Sequence, residues 1–274
     1  MIYNDTLYLE FPTHKDINHP YENRLYYGES KEAKDYFKYL LKEYKYYCPY
    51  CGSDISKGVT LEIDGDFERE HTIEKNQLGI EYEHLIQCKF NLCISCSKCN
   101  KNKKTNMIPI SDEFLNPFHH KEMCATQFCS EKCELYVNSL KDYLNKNKFM
   151  IQPYGTYNTA TKNKHKIHYN VKERKFIPFI NENYLDEDIR FIEAHIKKLK
   201  LNIHKPEALR KTVRDLHWFL NNLEEGKKID VGFLKNKKEN LDNILDVLFL
   251  EYFVTLDYES QYFLIDELYS EYDK

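Results

Sequence analysis

Glycine and proline are scarce, with 8 of each in 274 residues. That scarcity excludes a collagen-like chain and a Pro/Gly-rich disordered one. No stretch of 18 consecutive apolar residues occurs, so no membrane-spanning helix is expected. The first residues, Met-Ile-Tyr-Asn-Asp, lack the basic-then-apolar pattern of a secretory signal. The nine cysteines are an odd number, which fits full disulfide pairing poorly. Paired CxxC motifs without a secretory signal favour metal over disulfides, and so a reducing, cytoplasmic setting. There is no internal repeat and no convincing helix-turn-helix. The length is enough for a real core and for two or three small domains.

What is present is unevenly charged. The net charge is −4, yet residues 241–274 alone carry nine acids and one lysine, a net of −8. The remaining chain is therefore at +4. Lys98, Lys101, Lys103 and Lys104 crowd one short stretch, and Lys162, Lys164, Lys166, Lys172, Arg174 and Lys175 form a second run. Basic surfaces bind phosphates through counterion release, although lysine-rich faces are also commonly just solvated.

Hydrophobic periodicity outlines the elements. Ala33, Phe37, Leu40, Leu41, Tyr44 and Tyr47 predict a helix over 30–47 with Ser30 as N-cap. Residues 59–63 and 67–72 read as strands about an Asp64-Gly65 turn. Residues 91–95 read as extended or loop, followed by a short helix through Lys104. Strand-like runs fall at 149–152 and 166–171. From Asp186 the chain turns helical: Ile189, Ile192, Ile196 and Leu199 share one face. Leu209, Val213, Leu216 and Leu220 share the face of a second helix opened by Pro206. The acidic region from Leu241 is helical and rich in aromatics, including Phe253 and Phe263. Such helices serve either as core elements with a solvated back or as a docking surface for a partner.

The chemistry concentrates between two knuckles. Cys48-Pro-Tyr-Cys51 and Cys96-Ser-Lys-Cys99 can give four thiolates to one tetrahedral Zn²⁺. They stand 44 residues apart, more than a simple zinc ribbon needs. Glu70, His71, Asn91 and Asn100 fall within this span or directly after it. Phosphodiester hydrolysis needs an activated water and a cation beside the developing negative charge. A histidine can take the water's proton, and a hard divalent cation prefers a carboxylate and an amide oxygen. Asn91 is placed to orient the imidazole, or simply to cap the turn before the second knuckle. Asn100 is a candidate ligand or a helix N-cap. Cys124, Cys129 and Cys133, with His119 and His120, allow a second zinc site or ordinary buried thiols. Cys88 and Cys93 are expected to pack as small apolar groups.

The run Glu70-His71-Thr-Ile-Glu-Lys75, followed by Asn91-Leu-Cys-Ile-Ser-Cys-Ser-Lys-Cys-Asn100-Lys-Asn-Lys103, resembles the zinc-stapled HNH endonuclease motif over about residues 48–104. The resemblance implies an α+β fold with a ββα-metal core. It implies a structural Zn²⁺ on Cys48, Cys51, Cys96 and Cys99. It makes His71 the general base, Asn91 its support, and Glu70 with Asn100 the ligands of a catalytic Mg²⁺ or Mn²⁺. DNA is the implied substrate, with 5′-phosphate and 3′-hydroxyl products, and Lys75, Lys98, Lys101, Lys103 and Lys104 are the expected nucleic-acid contacts. Two positions depart from the motif: Glu70 stands where Asp is frequent, and Glu74 where Pro is often found. A second likeness, through Leu115-Asn-Pro117, Ile196-Lys-Lys-Leu-Lys-Leu-Asn202 and Leu209-Arg210, is similar to the helical tail of HNH proteins of Septu-type and retron-linked antiphage systems. It implies an ATPase partner.

The chain then divides into an N-terminal helical segment (1–47), the zinc-stapled core (48–110), a mixed extension (111–180) and a helical C-terminal region with an acidic tail (181–274). Two rival readings share these residues. One is a non-catalytic zinc module that binds nucleic acid or protein. The other is a stand-alone restriction or homing nuclease.

Overall fold

The computed structural model describes residues 7–12, 27–56, 67–104, 115–116, 161, 163–203, 208–233 and 241–272. Helix α1 spans Lys31–Glu43. Ser30 caps it, its hydroxyl accepting from the Ala33 N–H at 3.1 Å. Ala33, Tyr36, Phe37, Leu40 and Leu41 bury one face, as the periodicity requires. The helix stops four residues short of the expected Tyr47. Lys45 and Tyr46 take left-handed φ values of 51° and 61°, which cannot continue a right-handed helix. The Tyr46 N–H bonds back to the Leu41 carbonyl at 2.8 Å and so closes the helix end.

This reversal delivers the chain into the first knuckle. There the Gly52 N–H bonds the Cys48 carbonyl at 2.8 Å, and the Cys48 N–H bonds the Ser53 carbonyl at 2.8 Å. Strand β2 (Phe67–His71) follows, then the short helix α2 (Glu83–Ile86), strand β3 (Leu92–Cys96) and helix α3 (Ser97–Lys104). β2 and β3 are antiparallel, with Phe67 opposite Cys96, Glu70 opposite Cys93 and His71 opposite Leu92. The stretch expected to lie beside β2, residues 59–63, falls outside the described residues, as does the run at 149–152.

A second sheet has the order β1-β4-β5, all antiparallel, from Tyr8–Phe11, Ile167–Asn170 and Lys175–Pro178. Leu9, Phe11, Ile167, Tyr169 and Phe176 face the core at period 2. Helices α4 (Asp186–Lys198), α5 (Ala208–Asn221), α6 (Ile244–Phe253) and α7 (Tyr258–Tyr272) follow among the described residues. The layout is mixed helix and sheet, as expected. Among the described residues no helix is long and apolar enough to cross a membrane.

The acidic region is built into the core. α6 buries Ile244, Leu245, Val247, Phe249, Leu250 and Phe253, and packs against α5 and β1. Its Asp246 accepts from the Thr212 hydroxyl at 2.6 Å. Burial pushes that carboxyl up to about 6. α7 packs on α5, and the Tyr272 hydroxyl donates to the Val171 carbonyl at 2.5 Å. The two aromatics singled out in this region separate. Phe253 is wholly buried, whereas Phe263 is 56% exposed, near the half-exposed Tyr262 on the same helix.

The start of α6 is locked onto the first knuckle. The Ile244 N–H bonds the Gly52 carbonyl, and the Asp54 N–H bonds the Asp242 carbonyl, each at 2.8 Å. The Asn243 amide donates to the Cys51 carbonyl at 3.3 Å, while its oxygen caps α6 through the Leu245 N–H at 2.9 Å. Gly52 has φ +75°, and a Cβ there would lie 2.5 Å from Ile244 Cγ2 and 2.7 Å from Asn243 Oδ1. Gly226 has φ +81° with nothing within 4 Å of such a Cβ. Both therefore pay the backbone penalty of a side chain at positive φ, and only Gly52 adds a clash. Gly52→Ala is expected to cost about 2 kcal/mol more than Gly226→Ala, a further drop in Tm of about 4 °C or more. Equal thermal shifts in the two variants would show that the knuckle is not held by α6.

Candidate metal centre and its buried acid–lysine cluster

The two knuckles meet. The sulfurs of Cys48, Cys51, Cys96 and Cys99 all lie within 4.8 Å of one another, the one group of this kind among the described residues. Cys51 Sγ and Cys96 Sγ are 3.7 Å apart, close to the ~3.8 Å edge of a tetrahedron with 2.3 Å metal–sulfur bonds. Backbone amides also turn toward the sulfurs: Cys96 N–H toward Cys48 Sγ at 3.3 Å, and Cys99 N–H toward Cys96 Sγ at 3.4 Å. Hydrogen bonding from the neighbouring Cys48 sulfur pulls the Cys51 and Cys96 thiols down. Burial pushes Cys48 up, and the Cys48 sulfur pushes Cys99 up. Four sulfurs this close cannot all be thiolates without a cation, and a tetrathiolate set is compatible with structural zinc.

The cluster ties β3 and α3 to the first knuckle, and Tyr50 extends the tie to β2. Its hydroxyl, inside the core, donates to Glu70 Oε2 at 3.0 Å. Strand alternation then sorts β2 into two sides. Glu68 and Glu70 face α3. Ser97 donates its hydroxyl to Glu68 Oε1 at 3.1 Å and Asn100 its amide to Glu68 Oε2 at 3.4 Å, and the Lys103 amine forms an ion pair with Glu70 Oε1. These three residues recur every third position and make one face of α3. Arg69 and His71 leave by the other side. Arg69 bonds the Gly28 carbonyl at 2.6 Å and lies over the Phe37 ring at 5.2 Å, and the His71 ring meets Tyr27 edge-on at 4.7 Å.

His71 is 2% exposed, and burial lowers its pKa to about 4, opposed by the hydrogen bond to Ile86. It is neutral at pH 7, the state a proton acceptor requires. His71 Nε2 lies 3.2 Å from the Ile86 carbonyl. A carbonyl only accepts, so Nε2 carries the proton and Nδ1 is the basic nitrogen. Asn91 was expected either to orient this ring or to cap the turn before the second knuckle. Its side chain instead accepts from the Ile73 N–H at 2.7 Å and donates to the Ile73 and Leu85 carbonyls at 3.2 and 3.0 Å. Asn91 thus braces the backbone after His71, and Ile86 holds the ring. The reason is register: Asn91 immediately precedes β3, alongside the chain as it leaves β2.

Asn100 lies one turn inside α3, so the N-cap alternative does not apply. It is 3% exposed, and its Oδ1 is buried without a hydrogen-bond partner. Such an oxygen is costly unless something fills it.

Lys103 overturns one expectation. It is 1% exposed, so it is no surface contact for nucleic acid. Its amine meets the Glu70 carboxylate, the His71 carbonyl and, at 3.2 Å, Glu74 Oε1. Burial pulls this amine well below its ordinary pKa, and the charges of Lys198 and Lys104 pull it further. Burial also raises Glu74. Lys98, Lys101 and Lys104 are exposed along α3. Lys75 is exposed too, with its amine 2.7 Å from the Tyr27 hydroxyl and 4.5 Å from that ring's centroid. In the second basic run Lys162 lies outside the described residues, and four of the others are engaged within the protein. Lys166 pairs with Glu10 at 2.8 Å, Lys172 with Glu267 at 2.6 Å, Lys175 with Glu173, and Arg174 lies over Tyr272. Cys93 is buried and Cys88 packs partly against the core, as expected. Cys124, Cys129, Cys133, His119 and His120 lie outside the described residues.

Three contributors went unnoticed in the sequence: Glu68, Tyr50 and Tyr27. Glu68 was findable, because it sits two residues before Glu70 and so shares its strand face. Tyr27 was not, since nothing local links it to His71. The chain matches no protein-family model, no curated protein and no solved structure.

Replacing Lys103 leaves Glu70 and Glu74 buried without their cation. Lys103→Met is expected to lower the stability to urea by about 3 kcal/mol or more. Bound metal at the cysteines should be unchanged, because Lys103 is not one of the sulfur donors. An unshifted urea midpoint would mean that the amine contributes nothing to the cluster.

Proposed function

We propose that the chain is a metal-dependent HNH-type endonuclease cleaving DNA. The observation that carries this reading is the buried, unpartnered Oδ1 of Asn100, on the α3 face that meets the Glu68 and Glu70 carboxylates of β2. A carboxylate and an amide oxygen suit Mg²⁺ or Mn²⁺. Glu70 already takes Tyr50 and Lys103, but a carboxylate has about four lone-pair sites, so acceptor capacity remains. A bound divalent cation would stabilise the charge that develops on the scissile phosphate.

The chain's own residues do the rest. Neutral His71 accepts the proton of the attacking water at Nδ1, with Ile86 fixing the tautomer. Glu70 and His71 leave β2 on opposite sides, so a phosphodiester served by both lies across the end of the strand. Tyr27 moves off the imidazole when substrate enters. Lys98, Lys101, Lys104 and Lys75 contact phosphates. A Zn²⁺ on the four cysteines would hold β3 and α3 against the first knuckle and would do no chemistry. On the likeness to Septu-type proteins, the nuclease is an antiphage effector governed by an ATPase. Exposed Phe263, Tyr262 and Asp266 on α7 give that partner an aromatic and acidic surface.

The zinc assignment has its own test. Purified protein should contain one zinc per chain, and Cys96→Ser should lose both the metal and the cooperative fold, because structural zinc contributes roughly 10–16 kcal/mol of apparent binding energy. A compact, zinc-free and fully active Cys96→Ser protein would refute it.

Catalysis is tested by nicking of supercoiled plasmid. Cleavage should require added Mg²⁺ or Mn²⁺ while zinc stays bound. His71→Ala should keep fold and zinc and lose about 10²–10⁴-fold in rate. Unchanged cleavage in His71→Ala sinks the mechanism. No cleavage by the wild type under any divalent cation would favour the non-catalytic zinc module.

A further inference from the structure

Asn100 can serve as a metal ligand only if its amide points the right way. An amide presents an oxygen at one end and an N–H₂ at the other, at nearly equal size, and only the oxygen binds a cation. The orientation therefore has to be set by a neighbour, and Glu68 is the neighbour that sets it. A carboxylate accepts and never donates, so the amide must turn its Nδ2 toward Glu68 Oε2, 3.4 Å away. Oδ1 is then directed elsewhere, and it ends buried with no partner. Glu68 is itself held, because Ser97 at the start of α3 donates to its other oxygen at 3.1 Å. Ser97, Glu68 and Asn100 make a relay that leaves one oxygen unsatisfied.

We propose that Glu68 is a positioning residue that fixes the Asn100 amide so that Oδ1 is presented to a divalent cation. This rests on the nuclease reading above and adds to it a residue and a role. A relay that merely tied α3 to β2 would not need to strand a buried oxygen. Outer-shell partners of this kind commonly change metal affinity by about 10–100-fold.

The test reads metal binding rather than cleavage. Full-length, zinc-loaded protein carrying His71→Ala is titrated with Mn²⁺, and free Mn²⁺ is followed by its electron paramagnetic resonance signal. The parent is expected to bind one Mn²⁺, and Asn100→Ala to weaken it strongly. Glu68→Gln should weaken it about 10–100-fold at unchanged zinc content and Tm. Ser97→Ala, which only loosens Glu68, should weaken it several-fold (roughly 3–10) and serves if Glu68→Gln folds poorly. The double variant Glu68→Gln with Asn100→Ala should bind no more weakly than Asn100→Ala alone, because Glu68 acts through Asn100.

Unchanged affinity in Glu68→Gln and Ser97→Ala, with Asn100→Ala still weakened, overturns the positioning role and leaves the nuclease reading intact. Additive losses in the double variant also overturn it, since Glu68 would then act as a ligand or a charge in its own right. A parent that binds no Mn²⁺, or one indifferent to Asn100→Ala, removes both this inference and the proposed catalytic metal.

Discussion

Four sulfurs drawn within 4.8 Å of one another are the constraint on which the rest of the structure depends. They join two knuckles separated by 44 residues and hold α3 beside the β2–β3 pair. A stretch so polar could not hold itself by burial alone, since α3 buries only Cys99, Asn100 and Lys103. The first knuckle is fastened in turn to the start of α6 through Gly52 and Asn243. Metal-compatible cluster, sheet and C-terminal helices are one connected arrangement, and a fault in the sulfur cluster would reach residues nearly 200 positions away.

The second organising feature is a charged interior. Lys103 sits among Glu70, Glu74 and the His71 carbonyl, where an ammonium and its partners are removed from water. A buried cluster of this kind is a poor source of net stability but a strong penalty on any arrangement that breaks it. It therefore specifies one position of α3 against β2. The same position places Ser97 and Asn100 on Glu68 and leaves the Asn100 oxygen without a partner. The unpartnered oxygen thus arises from packing that also orders the helix.

The imidazole lies on the opposite side of β2, under Tyr27 and against Ile86. Acid and histidine are neighbours in sequence but not on one surface, because successive residues of a strand face opposite ways. The exposed lysines of α3 lie next to its buried face, whereas four residues of the basic run around β4 and β5 are spent on Glu10, Glu173, Glu267 and Tyr272. Charge counted along the chain overstated how much of it is free to meet a polyanion.

Local sequence was enough for features whose cause is local. Ser30 capping α1, the apolar face of α1, the cysteine pairs as a metal-compatible cluster, and a helix after the second knuckle all follow from spacing and residue chemistry, whereas α4 buries Asp188, Phe191 and His195 beside Ile192 and Ile196 and leaves Ile189 half-exposed. Features set by distant contacts needed the fold. Lys103 looks like any other lysine of its run until Glu70 and Glu74 close around it. Asn91 looks like a support for His71 until register places it against Ile73. Tyr27 gives no local sign of covering the imidazole. The acidic C-terminal region carries a net −8, a polar signature, yet α6 lies in the core, because its acids fall on few positions of an otherwise apolar helix. Sequence alone determined which residues can hold a proton or a metal. Tertiary structure decided which of them are buried together, because burial and pairing depend on segments that only the folded chain brings into contact.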